Sequence, residues 1–550
     1  MTLNSSEDIQ RSSSESERHG LLGRVIENWL TSVNERQYQI PFCQVLAAEG
    51  EAVLYVSSHG PFEKGKDIIT RAPSGELRAY QLKMGNIGLS EWRLIYGEIV
   101  NLVELPIELA GLSPTLDFAP YIVTNGEMTD PVLEQVRAAN TAWNSRSFKN
   151  PLKIVQRGEL FDRFKTSHGA YLPRELEDFR TFLELILHEG SAPAQKEKAA
   201  QLIEHIIPPA PESESALNIS RAASSLVLLV AYITGAATRA SNFWCVFEYW
   251  VLAGTYILFL AEKSAKPETV WKTSFDLCQA AAESALRSLT EEVGSRGDLV
   301  EGSPLIDGHT YRARVTILLA LLSSFSLACR VDKRPFPYDE ALRRLLSTRL
   351  KEASMWGESA VPCLFITALQ LEQHCRPKDA EGIAIQLIRE ICAANGATST
   401  GRGLPNSYYT AEEAMKLQYG LDFTNLEQFL GLSYTTGTLI EFLARRWRRQ
   451  ALAALWFGIT RMSLVQFIPA TSSDWFRWNT GNGVLDSRIP AEPQSWSVLM
   501  AEAEDMDFGE LPPTLLRRPG FAMYFSIVYP HRFRAILGRF IERSIQNSPQ

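Results

Sequence analysis

The sequence predicts an α/β N-terminal domain, a mixed sheet flanked by helices, joined to a large all-α C-terminal domain. Three observations predict it. Short apolar strands alternate with helical runs up to about residue 190. A Pro/Ser/Glu-rich stretch, Ile207 to Ser215, then interrupts the chain, and beyond it helical periodicity dominates while strand signals nearly vanish. At 550 residues the chain exceeds one ordinary domain. Residues 1–18 read as a disordered lead-in, 19–190 as the α/β domain, 191–219 as a helix and linker, and 220–550 as a helical sensor or oligomerisation domain.

Met1 to Arg18 is Ser- and Glu-rich with no apolar core of a secretion signal. Leu21 to Leu30 has helical spacing and carries Glu27; a second helix is expected near Ile40 to Ala48. Ala52 to Ser57 reads as a strand broken by His59-Gly60-Pro61. Asp67-Ile68-Ile69 and Tyr80-Gln81-Leu82-Lys83-Met84 are two further strands, and Pro73 and Gly75 make the turn between them, so they are antiparallel neighbours. Trp92, Ile95, Tyr96, Ile99 and Val103 mark one face of a helix. Phe118 to Thr124 is a strand, Pro131 to Trp143 a helix, Leu152 to Gln156 a strand and Glu159 to Lys165 a short helix. Strands joined through helices form right-handed parallel crossovers, which makes the sheet mixed.

Alternation along a strand sends Gln81 and Lys83 to one face and Leu82 to the other. An aspartate, an amide or main-chain oxygen and a nearby lysine suit a hard divalent cation at a phosphodiester. Asp67, Gln81, Lys83 and Glu27 are therefore the candidate catalytic residues, with His59 and Glu63 as possible additions from the loop before Asp67. Lys64, Lys66, Arg71, Arg78 and Arg93 are candidate phosphate contacts, although Glu63, Glu76 and Glu91 are interleaved with them. The plainer reading makes Asp67 a strand-start residue and Gln81 and Lys83 the solvent face of an edge strand.

The element order, with Glu27 on the first helix, Asp67 in the middle strand and Gln81-Leu82-Lys83 in the third, resembles the PD-(D/E)XK nuclease superfamily. The likeness is to its Mrr-like restriction-endonuclease branch, in the QxK variant, and covers the N-terminal third only. Lys66 stands where the family name has proline, and Gln81 replaces the second acid. The resemblance implies a restriction-endonuclease-like fold and an Mg²⁺ (or Mn²⁺) ion held by Asp67, Gln81, the Leu82 backbone carbonyl and Glu27. It also implies hydrolysis of DNA to a 5′-phosphate and a 3′-hydroxyl, with RNA left open, and dimers or higher oligomers. By analogy of architecture, the chain is an effector of prokaryotic anti-phage or anti-plasmid defence, regulated through its helical domain or a companion defence protein. The alternative is a catalytically silent nuclease-fold scaffold that binds nucleic acid or protein.

A formal net charge of −8 and a pI near 5.7 exclude a generic polycation, so nucleic-acid contact must come from a local surface. Seven scattered cysteines without a CxxC pair read as reduced core residues of a cytoplasmic protein. Phe243 to Glu262 has the length of a membrane span, but Glu248 within it favours a buried helix, and no membrane is expected. Helices are expected through Gly437 to Gly458. Within that last helix, Arg445-Arg446-Trp447-Arg448-Arg449 is either a second nucleic-acid patch or a solvated face with Trp447 in the core. Trp475 to Trp478 reads as packed aromatics under a long loop, with a recognition loop as the alternative. No Walker A, GxGxxG or G-x-S-x-G motif occurs.

Overall fold

The strand and helix signals place the chain's elements in a computed structural model that describes residues 26–548, except 28, 32, 58–64, 110–113, 147, 149, 169–175, 296–307, 397–402, 419–425 and 479–484. Two compact units form. One takes Met1–Ala192, Gln201–Asn242 and Lys266–Ala281; the other takes Pro193–Ala200, Phe243–Ala265 and Ala282–Gln550.

In the first unit the apolar runs become β1 (Ala52–Val56), β2 (Ile68–Arg71), β3 (Leu77–Lys83), β4 (Ala119–Thr124) and β5 (Lys153–Val155). They lie in that spatial order, the first three antiparallel and the last two parallel to their predecessors, which is the mixed sheet the element order predicts. Helices that flank it include α1 (Glu35–Ala48), α2 (Leu89–Glu104) and α3 (Asp130–Ser145). The connections β3–α2–β4 and β4–α3–β5 put two helices on one face. There Ile69, Ala79 and Ile122 pack with Trp92, Ile99 and Leu102 of α2 and Val132 and Val136 of α3. On the opposite face the Tyr80 ring meets Phe42 of α1 edge-on at 5.6 Å. There the buried Glu51 carboxylate takes hydrogen bonds from Tyr80, Thr70 and Arg78.

The Pro/Ser/Glu-rich stretch is not a boundary between the units. Pro211–Ser213 forms a turn of 3-10 helix with Pro211 buried, and Ser215 Oγ accepts from Asn218 N (3.1 Å), capping a helix over Ala216–Ile233. That helix belongs to the first unit: Ser224 Oγ accepts from Gln44 Nε2 of α1, and Tyr232 lies 4.8 Å from Trp29. Proline and serine here start a helix, and the composition alone does not separate that use from a linker.

The second unit is mostly helical, built around Phe243–Ser264, Gly308–Val331, Val361–Gln373 and Pro519–Val528. It is not all-α: β6 (Leu432–Ser433), β7 (Ser463–Ile468) and β8 (Leu485–Pro490) form a small sheet. Ala216–Ile233, Phe243–Ser264 and Gly308–Val331 are each long and apolar enough to cross a membrane, and 72, 89 and 78% of their apolar windows are buried. Glu248, inside the second of these, is buried against the Lys196 ammonium. Trp475 and Phe476 are fully buried and Trp478 nearly so, so the loop aromatics are core residues. Among the described cysteines none forms a disulfide; five are buried, Cys392 is half-buried and Cys375 exposed.

His531 lies deep in this unit, stacked on Tyr408 at 4.9 Å and edge-on to Trp478 at 4.8 Å. Burial, then the Arg532 and Lys196 charges, push its pKa well below the ordinary 6.5. The folded imidazole therefore stays neutral where the unfolded one takes a proton. This group's contribution to stability is fully present above pH 6.5 and declines as pH falls below it, with a limiting slope of about 1.4 kcal/mol per pH unit. Melting curves between pH 8 and pH 5.5 should show this decline, and His531→Phe should flatten it.

Candidate functional site

Sheet register creates the site. Continuing the β2–β3 pairing of Ile68 with Tyr80 by one step sets Asp67 opposite Gln81 at the end of the antiparallel ladder. The Asp67 main chain holds this position, its N–H donating to Tyr80 O (2.9 Å) and its carbonyl accepting from Ser57 N (2.7 Å). Its carboxylate ends the ladder: Leu82 N–H donates to Asp67 Oδ2 at 2.7 Å. Gly65, two residues earlier, has φ +73°, and a Cβ there would lie 2.7 Å from Glu98 O and 3.2 Å from Leu102 N. Only glycine lets this turn lie on α2. Gly65→Ala should therefore lower stability by about 1–3 kcal/mol, read by denaturant unfolding, by combining a left-handed backbone with a main-chain clash.

Gln81 and Lys83 share the α2 face of the sheet, as alternation requires, and both meet one carboxylate. Glu98 Oε2 accepts from Gln81 Nε2 at 2.8 Å and from Lys83 Nζ at 2.7 Å. Glu35, the first residue of α1, adds a second acid: Oε1 accepts from Met84 N (3.1 Å) and lies 4.0 Å from Lys83 Nζ. Neither Glu35 nor Glu98 is among the residues the sequence singles out. Tyr38 closes the floor, donating to Lys83 O (2.8 Å). Burial, then the Glu35 and Asp67 charges, raise its pKa well above the ordinary tyrosine value, while the Lys83 backbone hydrogen bond opposes them. It stays a neutral donor at the end of β3.

One atom of the cluster has no partner among the described residues. Gln81 is 4% exposed, and its Oε1 is buried with no hydrogen-bond donor. A buried carbonyl oxygen left bare is unusual, and it is the oxygen type that a hard cation takes. Among the described residues no three of His, Cys, Asp and Glu stand together to hold a metal. A cation at Asp67 and Gln81 would therefore rest on one or two carboxylates, amide and main-chain oxygens and water, a set that Mg²⁺ accepts.

The other candidates divide. Asp67, Gln81, Leu82 and Lys83 come together. Glu27 does not join them: its Oε1 accepts from Arg157 Nη2 (3.0 Å), and the acid at the head of the next helix, Glu35, takes the place beside Lys83. Lys66 is 2% exposed, donates to Asn101 O (3.2 Å) and lies 5.3 Å from the Phe118 ring centroid, so it braces the fold and meets no phosphate. Arg78 is spent on Glu51 and Glu76. Arg71 and Arg93 are exposed. His59, Glu63 and Lys64 lie outside the described residues.

The arginine-rich run is also resolved. The helix breaks at 446–448, with Trp447 in a left-handed conformation (φ +57°) and 68% exposed, so Trp447 is not a core residue. Arg445 bonds Glu542 (2.7 Å), Arg446 bonds Glu372 and Glu542 (2.9 Å), and Arg448 pairs with Glu381. Three of the four guanidinium groups are thus internally neutralised, and the run offers no strong second phosphate-binding patch. No protein-family model matches this chain, and no curated protein or solved structure is significantly similar to it.

Proposed function

We propose that the first unit is a divalent-metal-dependent endonuclease acting on DNA, serving as a prokaryotic defence effector regulated through its helical unit. The observation that carries the reading is the bare, buried Oε1 of Gln81, the residue that the ladder register sets opposite Asp67 and that shares Glu98 with Lys83. Mg²⁺, when bound, would supply an activated water and offset charge on the phosphoryl oxygens. Asp67 and Gln81 would hold that ion, with Glu35 and Glu98 as the nearby acids. Lys83 Nζ, kept in place by Glu98, would neutralise the scissile phosphate as charge develops. Tyr38 fixes the main chain that carries Lys83. The defence role rests on the architectural resemblance.

One feature favours a second reading, a catalytically silent scaffold. Glu98 already satisfies both Lys83 Nζ and Gln81 Nε2, and Asp67 has a structural duty on Leu82 N. Incubating the full-length protein with plasmid, linear duplex, single-stranded DNA and RNA in Mg²⁺ or Mn²⁺ separates the two. Metal-dependent nicking that disappears in Lys83→Ala supports the nuclease; binding without cutting in every condition supports the scaffold.

A further inference from the structure

The second unit holds a cavity of about 660 Å³, within the size range of small-ligand pockets. Four arginines line it, Arg330, Arg334, Arg343 and Arg376, against one lining carboxylate, Asp339. Three of the four are engaged: Arg334 with Glu283 and Asp332, Arg343 with Asp339, and Arg376 with Asp379 and the Leu346 carbonyl. Arg330 differs. It makes no ion pair among the described residues, and its Nε is buried without an acceptor. A guanidinium N–H held out of water with nothing to bond is costly, and it is a ready donor to an anion.

Two further groups in the same cavity define what kind of anion fits. Gln370, on the helix Val361–Gln373, is 2% exposed; its Nε2 is engaged with His374 at 2.8 Å while its Oε1 is buried and bare. The cavity thus offers a buried acceptor as well as half-buried and exposed cations. Phe336 lines it half-buried, fixed edge-on by Phe325 at 5.4 Å and Tyr338 at 5.8 Å, which makes it a rigid aromatic wall. Burial, helped by the Arg343 and Arg376 charges and opposed by Asp339 at 3.4 Å, lowers the pKa of His374, so that side chain adds a neutral edge to the site.

We infer that this cavity binds a phosphorylated small ligand with a planar, hydrogen-bond-donating ring, of the nucleoside phosphate class. Arg330 and Arg343 take the phosphates, Phe336 takes the ring face, and Gln370 Oε1 accepts from a ring N–H. The Asp339–Arg343 pair is four residues apart on an exposed helix face, with Arg343 68% exposed. Such a pair is weak enough to yield to a phosphate. The inference does not depend on the nuclease reading, because every residue named lies in the second unit.

Calorimetric titration of the full-length protein tests it, with ATP, AMP and inorganic pyrophosphate as probes. EDTA throughout silences any metal site in the first unit. Saturable binding of ATP at one site per chain is expected, weakened roughly 10- to 100-fold by Arg330→Ala. Arg343→Glu changes an exposed helix position, so it should fold normally and weaken ATP at least as much. Phe336→Ala should weaken ATP while leaving pyrophosphate unchanged. Absence of saturable binding by every probe overturns the site, as does ATP affinity unaltered in both arginine variants. Equal affinity for ATP and pyrophosphate overturns the ligand class.

Discussion

Asp67→Asn should leave the unfolding free energy within about 0.5 kcal/mol of the parent and lower metal-dependent cleavage by about 10²–10⁴-fold. The two effects separate because the residue has two duties. As the acceptor that ends the β2–β3 ladder it needs only an oxygen facing Leu82 N–H, 2.7 Å away. The asparagine amide oxygen supplies that. As a cation ligand it needs charge, and the amide supplies none. Asp67→Ala removes both, so it should also lose about 1–3 kcal/mol through the orphaned Leu82 N–H. Lys83→Ala leaves the ladder intact and should match Asp67→Asn in activity. Its Nζ contacts Glu98, whose side chain is 52% exposed, and exposed ion pairs contribute at most about 1 kcal/mol to stability. Plasmid nicking measured beside urea unfolding decides the matter. If Asp67→Asn cuts as well as the parent, Asp67 is only a ladder cap and the nuclease proposal fails.

The separation of duties at Asp67 also marks what sequence can and cannot disclose. The pairing of Asp67 with the Gln81-Leu82-Lys83 strand follows from period-two alternation and a Pro/Gly turn, both local properties. The mixed character of the sheet follows from strands joined through helices, again a local signal. Glu98 is invisible in that reading because its role depends on the phase of α2 against β3. It sits beside the buried Ile99, at the edge of the helical stripe, and only packing brings it over Gln81. Glu35 is missed for a different reason. A helix expected from Ile40 treats Pro41 as a starting residue, whereas α1 runs through Pro41 and begins at Glu35. The first acid of the true helix then falls in what reads as a loop, and Glu27 receives its role.

In the second unit the helices were legible and the exceptions were not. Val465 and Phe467 are buried on alternate positions of β7, a genuine strand signal, but it is short and follows directly on a helix. The break at Arg446-Trp447-Arg448 carries neither glycine nor proline. It is closed by Trp447 N to Ala444 O (2.8 Å) and Arg448 N to Leu443 O (3.0 Å), with the guanidinium groups held by acids distant in sequence. A dense positive run therefore reads as a surface feature when its countercharges lie 67 to 97 residues away.

Glu358→Ala should destabilise the second unit by roughly 3–5 kcal/mol, the largest stability loss expected from a single side chain here. Glu358 is 1% exposed, and one oxygen, Oε2, receives Tyr434 N (2.8 Å), Thr435 N (2.9 Å), Ser433 Oγ (3.0 Å) and Thr435 Oγ1 (2.8 Å). Those donors gather where β6 turns into the helix Thr436–Arg445, so the carboxyl group closes a helix N-terminus from a segment about 75 residues earlier. Alanine would leave two buried N–H groups and two hydroxyls without it. Burial raises the Glu358 pKa above the usual 4.5, against the opposing pull of the four donors. The sign follows: the folded state holds a proton that the unfolded state releases, so this contribution is full below pH 4.5 and is lost as pH rises through the folded pKa. Glu358→Gln, which mimics the protonated acid in shape, should therefore cost less than alanine and remove that pH dependence. Denaturant unfolding at pH 5 and pH 8 measures both quantities. A loss under about 1 kcal/mol for Glu358→Ala would mean that the donors find other acceptors, and that the β6–helix junction is not held by this carboxyl group.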